Sequence, residues 1–366
     1  MSYNTKIKVG ISHGDINGIG YEVIIKTLQE PGILEMCTPV VYGSPKVAAY
    51  YRKALNIENL SFNHVRGVHE ASANKINIIN CIDENIRVEL GKSTLSAGEA
   101  SLQALERAVS DLQKENIDVL VTAPINKYNI QGVNFTFPGH TEYLAEQFKC
   151  DDFLMLMVSE NLKVGVVTGH IPLSEVPRQI TRKKILNKIR ILHRSMVEDF
   201  QMTSPRIAVL GINPHAGDNG LIGKEEQEII LPALEQARNE GITALGPYPS
   251  DGFWGSGTYT RFDAILAMYH DQGLIPFKVL SFERGVNYTA GLPIVRTSPA
   301  HGTAYDIAGE DKASPDSFRE ALYLAIDIQR NRLIYKEISI DPLKKFDINP
   351  NQVDEAIDMH GEEESL

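Results

Sequence analysis

Short apolar runs rich in valine, isoleucine and leucine alternate along this chain with longer stretches of helical period. The clearest runs cover residues 7–11, 40–42, 76–82, 119–122, 153–158, 162–168, 207–212 and 264–268. They are hydrophobic almost without interruption, where a strand with one wet face would alternate. The pattern therefore predicts strands buried on both faces in a parallel sheet covered by helices. Helical periods fall between them, over about residues 22–29, 183–200, 225–239 and 317–335. In a further helix Leu105, Ala108, Val109 and Leu112 share one face, and Ser96-Ala-Gly-Glu99 ahead of them has capping-box spacing. The alternation predicts repeated βα units and an α/β layered fold.

Length adds a domain count. With 366 residues, 43% of them hydrophobic, the chain has material for about two domains of roughly 150 residues each. No repeat or low-complexity linker marks a boundary. Residues 128–140, with Gly132, Pro138 and Gly139, and the Gly/Pro-rich residues 285–302 are the candidate crossing points. From about Asp341 the chain turns polar and acidic, and residues 341–366 are expected to be a solvated tail.

Charge narrows the choice of partners. Lysine and arginine number 36 against 47 acids, a net charge of −11, so the molecule as a whole repels nucleic acid and anionic lipid surfaces. Cys37, Cys81 and Cys150 form no CxxC pair, and an odd count leaves no closed disulfide framework. With no signal-peptide pattern and no apolar run of about 18 residues, a soluble cytoplasmic protein is expected.

The candidate chemistry gathers at strand ends. His170, His215 and His270 each close an apolar run, and in open α/β sheets ligands bind beyond the carboxyl ends of strands. They form either one catalytic metal site with an open position or three separately hydrogen-bonded imidazoles. His13 also ends a run. The segment from Gly14 to Glu22 joins the first strand to the first helix; its glycines suit either an anion at a helix N-terminus or a plain turn, and it is not the GxGxxG fingerprint. Two stretches are dense in polar residues: Gly139-His-Thr-Glu142, and the segment from Lys278 through Asn287 to Thr303. Arg296 and Asn287 lie there among glycines, prolines and apolar residues, which is not a solvated face, and a cation there suits a phosphate or carboxylate.

Gly139-His-Thr-Glu-Tyr-Leu-Ala145, His170-Ile-Pro-Leu173, Asn213-Pro-His-Ala-Gly217, Ala267-Met-Tyr-His-Asp-Gln-Gly273, Gly291-Leu-Pro293, Arg296-Thr-Ser298 and His301-Gly-Thr-Ala304 closely resemble the 4-hydroxythreonine-4-phosphate dehydrogenase family, in family order from about residue 6 to about residue 335. The resemblance implies a fold like that of isocitrate and isopropylmalate dehydrogenases. Two α/β domains of α/β/α layers, residues 1–135 with 300–340 and residues 136–299, would enclose the active site in the cleft between them, completed at a homodimer interface. It places a divalent metal (Zn, Mg or Co) on His170, His215 and His270, and substrate on His140, Thr141, Lys278, Asn287 and Arg296. The chain departs from the family's commonest first loop, Gly-Asp-Pro-Ala-Gly-Ile-Gly-Pro-Glu, by having Ile16 and Tyr21 at the prolines, and it has Ala300 where the family often has Asp.

The implied reaction is NAD- or NADP-dependent oxidation of the secondary alcohol of 4-phosphooxy-L-threonine, a small phosphorylated amino acid, on the way to pyridoxal phosphate. Asp251 and Asp271 are the candidate general bases, and each could instead orient a metal histidine. Two other activities compete with it. A sister dehydrogenase for 4-phospho-threonate or 4-phospho-erythronate would keep the same residues, whereas a phosphate acyltransferase would have no need of three strand-end histidines.

Overall fold

The computed structural model describes residues 6–132 and 135–341, so the acidic tail expected from about residue 341 lies almost wholly outside the described residues. One sheet contains twelve strands: β1 (Ile7–Ser12), β2 (Cys37–Gly43), β3 (Phe62–Val65), β4 (Ile76–Asn80), β5 (Val119–Thr122), β6 (Leu154–Ser159), β7 (Leu162–Val166), β8 (Ile207–Leu210), β9 (Ala244–Tyr248), β10 (Ala264–Ala267), β11 (Val286–Ala290) and β12 (Val295–Pro299). Their order is β3-β4-β2-β1-β5-β12-β11-β6-β7-β10-β8-β9. All eight apolar runs are strands. The helices Gly20–Leu28, Leu95–Gln113, Arg182–Glu198, Leu231–Asn239 and Asp316–Ile338 fall where the helical periods predicted them. Among the described residues no helix is long and apolar enough to cross a membrane.

Strand direction departs from the parallel expectation at the centre. β12–β11, β11–β6 and β6–β7 pair antiparallel, so the block β7-β10-β8-β9 runs opposite to the block β3-β4-β2-β1-β5-β12. Continuous hydrophobicity reports burial on both faces, not direction. The two residues Glu160 and Asn161 between β6 and β7 allow only a hairpin, since a parallel return needs a dozen or more residues.

The helix predicted behind Ser96 begins at Leu95. Its cap is Thr94, whose Oγ1 accepts from Ala97 N at 3.3 Å and from Asn17 Nδ2 at 3.0 Å, while Ser96 lies inside the first turn. Thr94→Ala should cost about 1 kcal/mol, read as a lower urea midpoint at unchanged slope.

The Gly14–Glu22 segment is a structural joint. Gly14 has φ +71°, and a Cβ there would sit 2.3 Å from the Pro124 carbonyl oxygen. The buried Asp15 carboxylate accepts from Asn129 Nδ2 at 2.7 Å, from the Tyr305 hydroxyl at 2.6 Å and from Asn17 N at 2.8 Å. Its acceptors are filled by the protein itself. Tyr21, which stands at a family proline, stacks on His13 at 5.2 Å and on Tyr51 at 5.5 Å, and its hydroxyl accepts from Ser44 N. Burial lowers the pKa of His13 to about 4, so this imidazole is a neutral packing residue at pH 7.

Candidate active site

A cleft of about 620 Å³ is lined by residues of both sheet blocks. Its lining includes His140, Thr141, His170, His270, Lys278, Asn287 and Arg296, which had been selected in the sequence. Arg296, on β12, is 2% exposed, and its Nε and Nη2 donate to Thr122 Oγ1 at 3.1 and 2.6 Å. Burial lowers its pKa to about 10, with the charge of Glu142 opposing, so it remains a cation at pH 7. Among the described residues no carboxylate lies within 4 Å of it to form an ion pair. A buried guanidinium held by one hydroxyl is costly until an anion joins it.

His140 and Thr141 open the His140–Gln147 helix, whose first backbone N–H groups favour an anion. Burial, then the charges of Arg296 and Lys127, hold His140 well below the usual imidazole range. Thr141 Oγ1 lies 3.3 Å from Thr289 Oγ1 of β11. On the same strand Asn287 presents a buried Oδ1 with no hydrogen-bond partner, an acceptor awaiting a donor. Lys278 is exposed on the His270–Ser281 helix.

The histidines follow three adjacent, mutually parallel strands, β7, β10 and β8, and so leave the sheet at one edge. His170 and His270 meet with ring centroids 5.3 Å apart. Burial, then Lys127 and His270, lower the pKa of His170, and His270 Nδ1 lies 2.7 Å from Asp271 Oδ1. His215 is exposed in a run of five successive left-handed residues from His215 to Asn219. The buried Glu226 braces that run: Oε1 accepts from Ile212 N and Asn213 N, both at 2.8 Å, and Oε2 from Asn213 Nδ2 at 2.9 Å. Among the described residues of one chain, no three His, Cys, Asp or Glu side chains cluster as a metal site. His170 and His270 are donors of the kind a divalent ion takes, and such an ion would need at least one further donor beyond this pair.

Asp251 is exposed on the short Ser250–Gly255 helix, which packs against the His215 segment, and is absent from the cleft lining. Asp271 has a largely exposed side chain set against His270, the position of an orienting carboxylate. Cleft residues that sequence reasoning left without a role are Lys127, Glu142 and His301. His301 Nε2 is buried without a partner, and burial lowers its pKa. Glu142 and His301 sat inside motifs already noted; Lys127 gave no signal, because a lysine beginning a helix reads as a surface charge.

A cleft in an α/β fold lined by four lysines and a buried arginine without an ion-pair partner among the described residues is suited to binding a small anion. The profile of the pyridoxal phosphate biosynthetic protein PdxA family matches residues 35–325, and the chain belongs to that family. It is 55% identical over 341 residues to the 4-hydroxythreonine-4-phosphate dehydrogenase of Bacteroides thetaiotaomicron, covering 93% of each chain. A relative from Oceanobacillus iheyensis, named for a D-threonate 4-phosphate dehydrogenase activity, is 40% identical, covering 87% of this chain and 97% of its own. The crystal structure of 4-hydroxythreonine-4-phosphate dehydrogenase from Klebsiella pneumoniae superposes with a TM-score of 0.79 at 34% identity, over 90% of this chain and 99% of that one.

Proposed function

We propose that the protein oxidises the secondary alcohol of 4-phosphooxy-L-threonine, transferring hydride to NAD or NADP. The product, 2-amino-3-oxo-4-(phosphooxy)butanoate, is a β-keto acid that loses CO₂ to leave 3-amino-2-oxopropyl phosphate. The observation that carries this reading is the buried Arg296, unpaired by any described carboxylate, in a cation-lined cleft of a chain 55% identical to a 4-hydroxythreonine-4-phosphate dehydrogenase. Mixing purified protein with this substrate and NAD or NADP should give reduced cofactor and CO₂ in equal amounts; no cofactor reduction with either would refute it.

In this reading Arg296 and Lys278 hold the phosphate and carboxylate, and Thr141 and Asn287 direct the rest of the substrate through hydrogen bonds. The neutral His140 can donate its single N–H to one anionic oxygen without adding a charge. A divalent ion held by His170, His270 and His215 would supply Lewis acidity toward the alcohol and the ketone formed from it. Asp271 keeps the His270 ring oriented.

We assign the working state as a homodimer with the site at the subunit interface. The helix that carries His270 and Lys278 leaves Ile275, Val279 and Phe282 exposed, and Leu173 and Leu221 stand exposed beyond His170 and His215. Apolar side chains at all three histidine segments suit a covering protein surface, and a second copy could bring its exposed His215 to the pair.

Arg296→Lys tests the anion clamp. The planar guanidinium can grip an oxyanion with two parallel hydrogen bonds, which an ammonium cannot copy. The variant should lower kcat/KM for the phosphorylated substrate roughly tenfold to a hundredfold, the size of a charge-assisted hydrogen bond, and change KM for NAD much less. Unchanged kcat/KM, or a defect confined to NAD, would remove Arg296 from this role.

A further inference from the structure

Among the described residues lining the cleft, Glu142 is the one carboxylate, set among Lys127, Lys184, Lys188, Lys278 and Arg296. It is the third residue of the His140–Gln147 helix and is partly exposed. Its carboxylate makes no hydrogen bond or ion pair with any described residue, so it is not consumed in neutralising the lysines around it. It lines the same cleft as Arg296 and the His170–His270 pair, and its negative charge favours the protonated forms of Arg296 and His170. In a pocket that binds phosphate and carboxylate, a free negative charge weakens binding unless the ligand also carries a positive group. An amino-acid phosphate carries one, an ammonium group; a hydroxy-acid phosphate has a hydroxyl in its place.

We propose that Glu142 receives the substrate's ammonium group and sets the preference for the amino-acid phosphate over the hydroxy-acid phosphate. This rests on the substrate reading above. The ammonium N–H donates to the Glu142 carboxylate while Arg296 and Lys278 hold the two anionic ends, so the substrate is fixed at three points of alternating charge. Asn287 Oδ1, buried and unpartnered, can accept from either an ammonium or a hydroxyl, and so cannot discriminate between the two compounds on its own.

The experiment compares kcat/KM for 4-phosphooxy-L-threonine and 4-phospho-threonate in the wild-type protein, Glu142→Gln and Glu142→Asp. Glutamine keeps the shape and removes the charge; aspartate keeps the charge on a shorter arm. The expected result is that Glu142→Gln shifts the ratio of the two kcat/KM values roughly tenfold to a hundredfold against the amino-acid phosphate, mainly through KM, with partial recovery in Glu142→Asp. Equal losses on both compounds would mean that Glu142 serves the chemistry or the packing, and would overturn the proposal. An unchanged ratio without loss would do the same. A wild-type protein that prefers 4-phospho-threonate overturns the role of Glu142 while leaving a dehydrogenase of phosphorylated acids in place. One that oxidises neither compound overturns the substrate reading and this assignment with it.

Discussion

Replacing His170 or His270 by alanine should lower kcat/KM by roughly a thousandfold, equivalent to about 4 kcal/mol of transition-state stabilisation. The two rings stand 5.3 Å apart, and Asp271 contacts the second of them. In the proposed metal site they would be two donors with an orienting carboxylate, an arrangement in which loss of the orienting group alone costs about tenfold to a hundredfold. Bound divalent metal should fall in parallel with activity, and so should turnover of the wild-type protein after dialysis against a chelator, with recovery when zinc, cobalt or magnesium is returned. Alanine at His215 should act the same way if the exposed loop supplies the third donor. Full metal content with near-normal turnover in all three variants would dismantle the metal site while leaving the anion clamp standing.

Asp199→Ala should destabilise the fold by about 3–5 kcal/mol, the cost of stranding a largely buried charge. Asp199 is 2% exposed and accepts from Arg332 Nε, the Tyr288 hydroxyl and Ser195 Oγ, each at 2.6 Å. Arg332 belongs to the Asp316–Ile338 helix and Tyr288 to β11, so the carboxylate joins the C-terminal helix to the strand that presents Asn287. Alanine removes the acceptor shared by Arg332 Nε and the Tyr288 and Ser195 hydroxyls, leaving Arg332 with only the Tyr288 oxygen at 2.9 Å and the Leu292 carbonyl oxygen. The effect is read as a lower urea midpoint. A loss under about 1 kcal/mol would show that Arg332 finds water or another acceptor, such as the Leu292 carbonyl oxygen it already contacts at 3.2 Å.

The sequence was most legible where packing alone decides. The eight apolar runs became strands because a strand buried on both faces has few options but valine, isoleucine and leucine. The four strands it did not reveal divide into two kinds. β3 and β9 stand at the sheet edges, only partly buried, and need no continuous apolar run. β11 and β12 lie in the centre, yet Asn287, Thr289, Arg296 and Ser298 break their hydrophobic pattern. Asn287, Arg296 and Ser298 also line the cleft. The Gly/Pro-rich residues 285–302 therefore looked like a crossing point because polar side chains replace apolar ones in a buried strand pair. Local chemistry singled out Arg296 and the strand-end histidines as candidates for the same reason: polar groups in apolar surroundings are conspicuous. Glu142 and Glu226 were not, since a carboxylate in the first turn of a helix is what helix electrostatics favour on any surface, and Lys127 reads as an ordinary surface lysine. Their roles depend on long-range packing, Glu226 bracing the left-handed run at His215 and Glu142 facing the cleft. Only the three-dimensional arrangement carries that information.

The most direct measurement is the initial rate of NAD or NADP reduction by purified protein offered 4-phosphooxy-L-threonine and, separately, 4-phospho-threonate, each with and without chelator. The account predicts turnover with the amino-acid phosphate at the higher kcat/KM, abolished by the chelator and restored by a divalent metal. Reduction that ignores the chelator would contradict the assigned metal chemistry, and no reduction with the amino-acid phosphate would contradict the proposed activity itself.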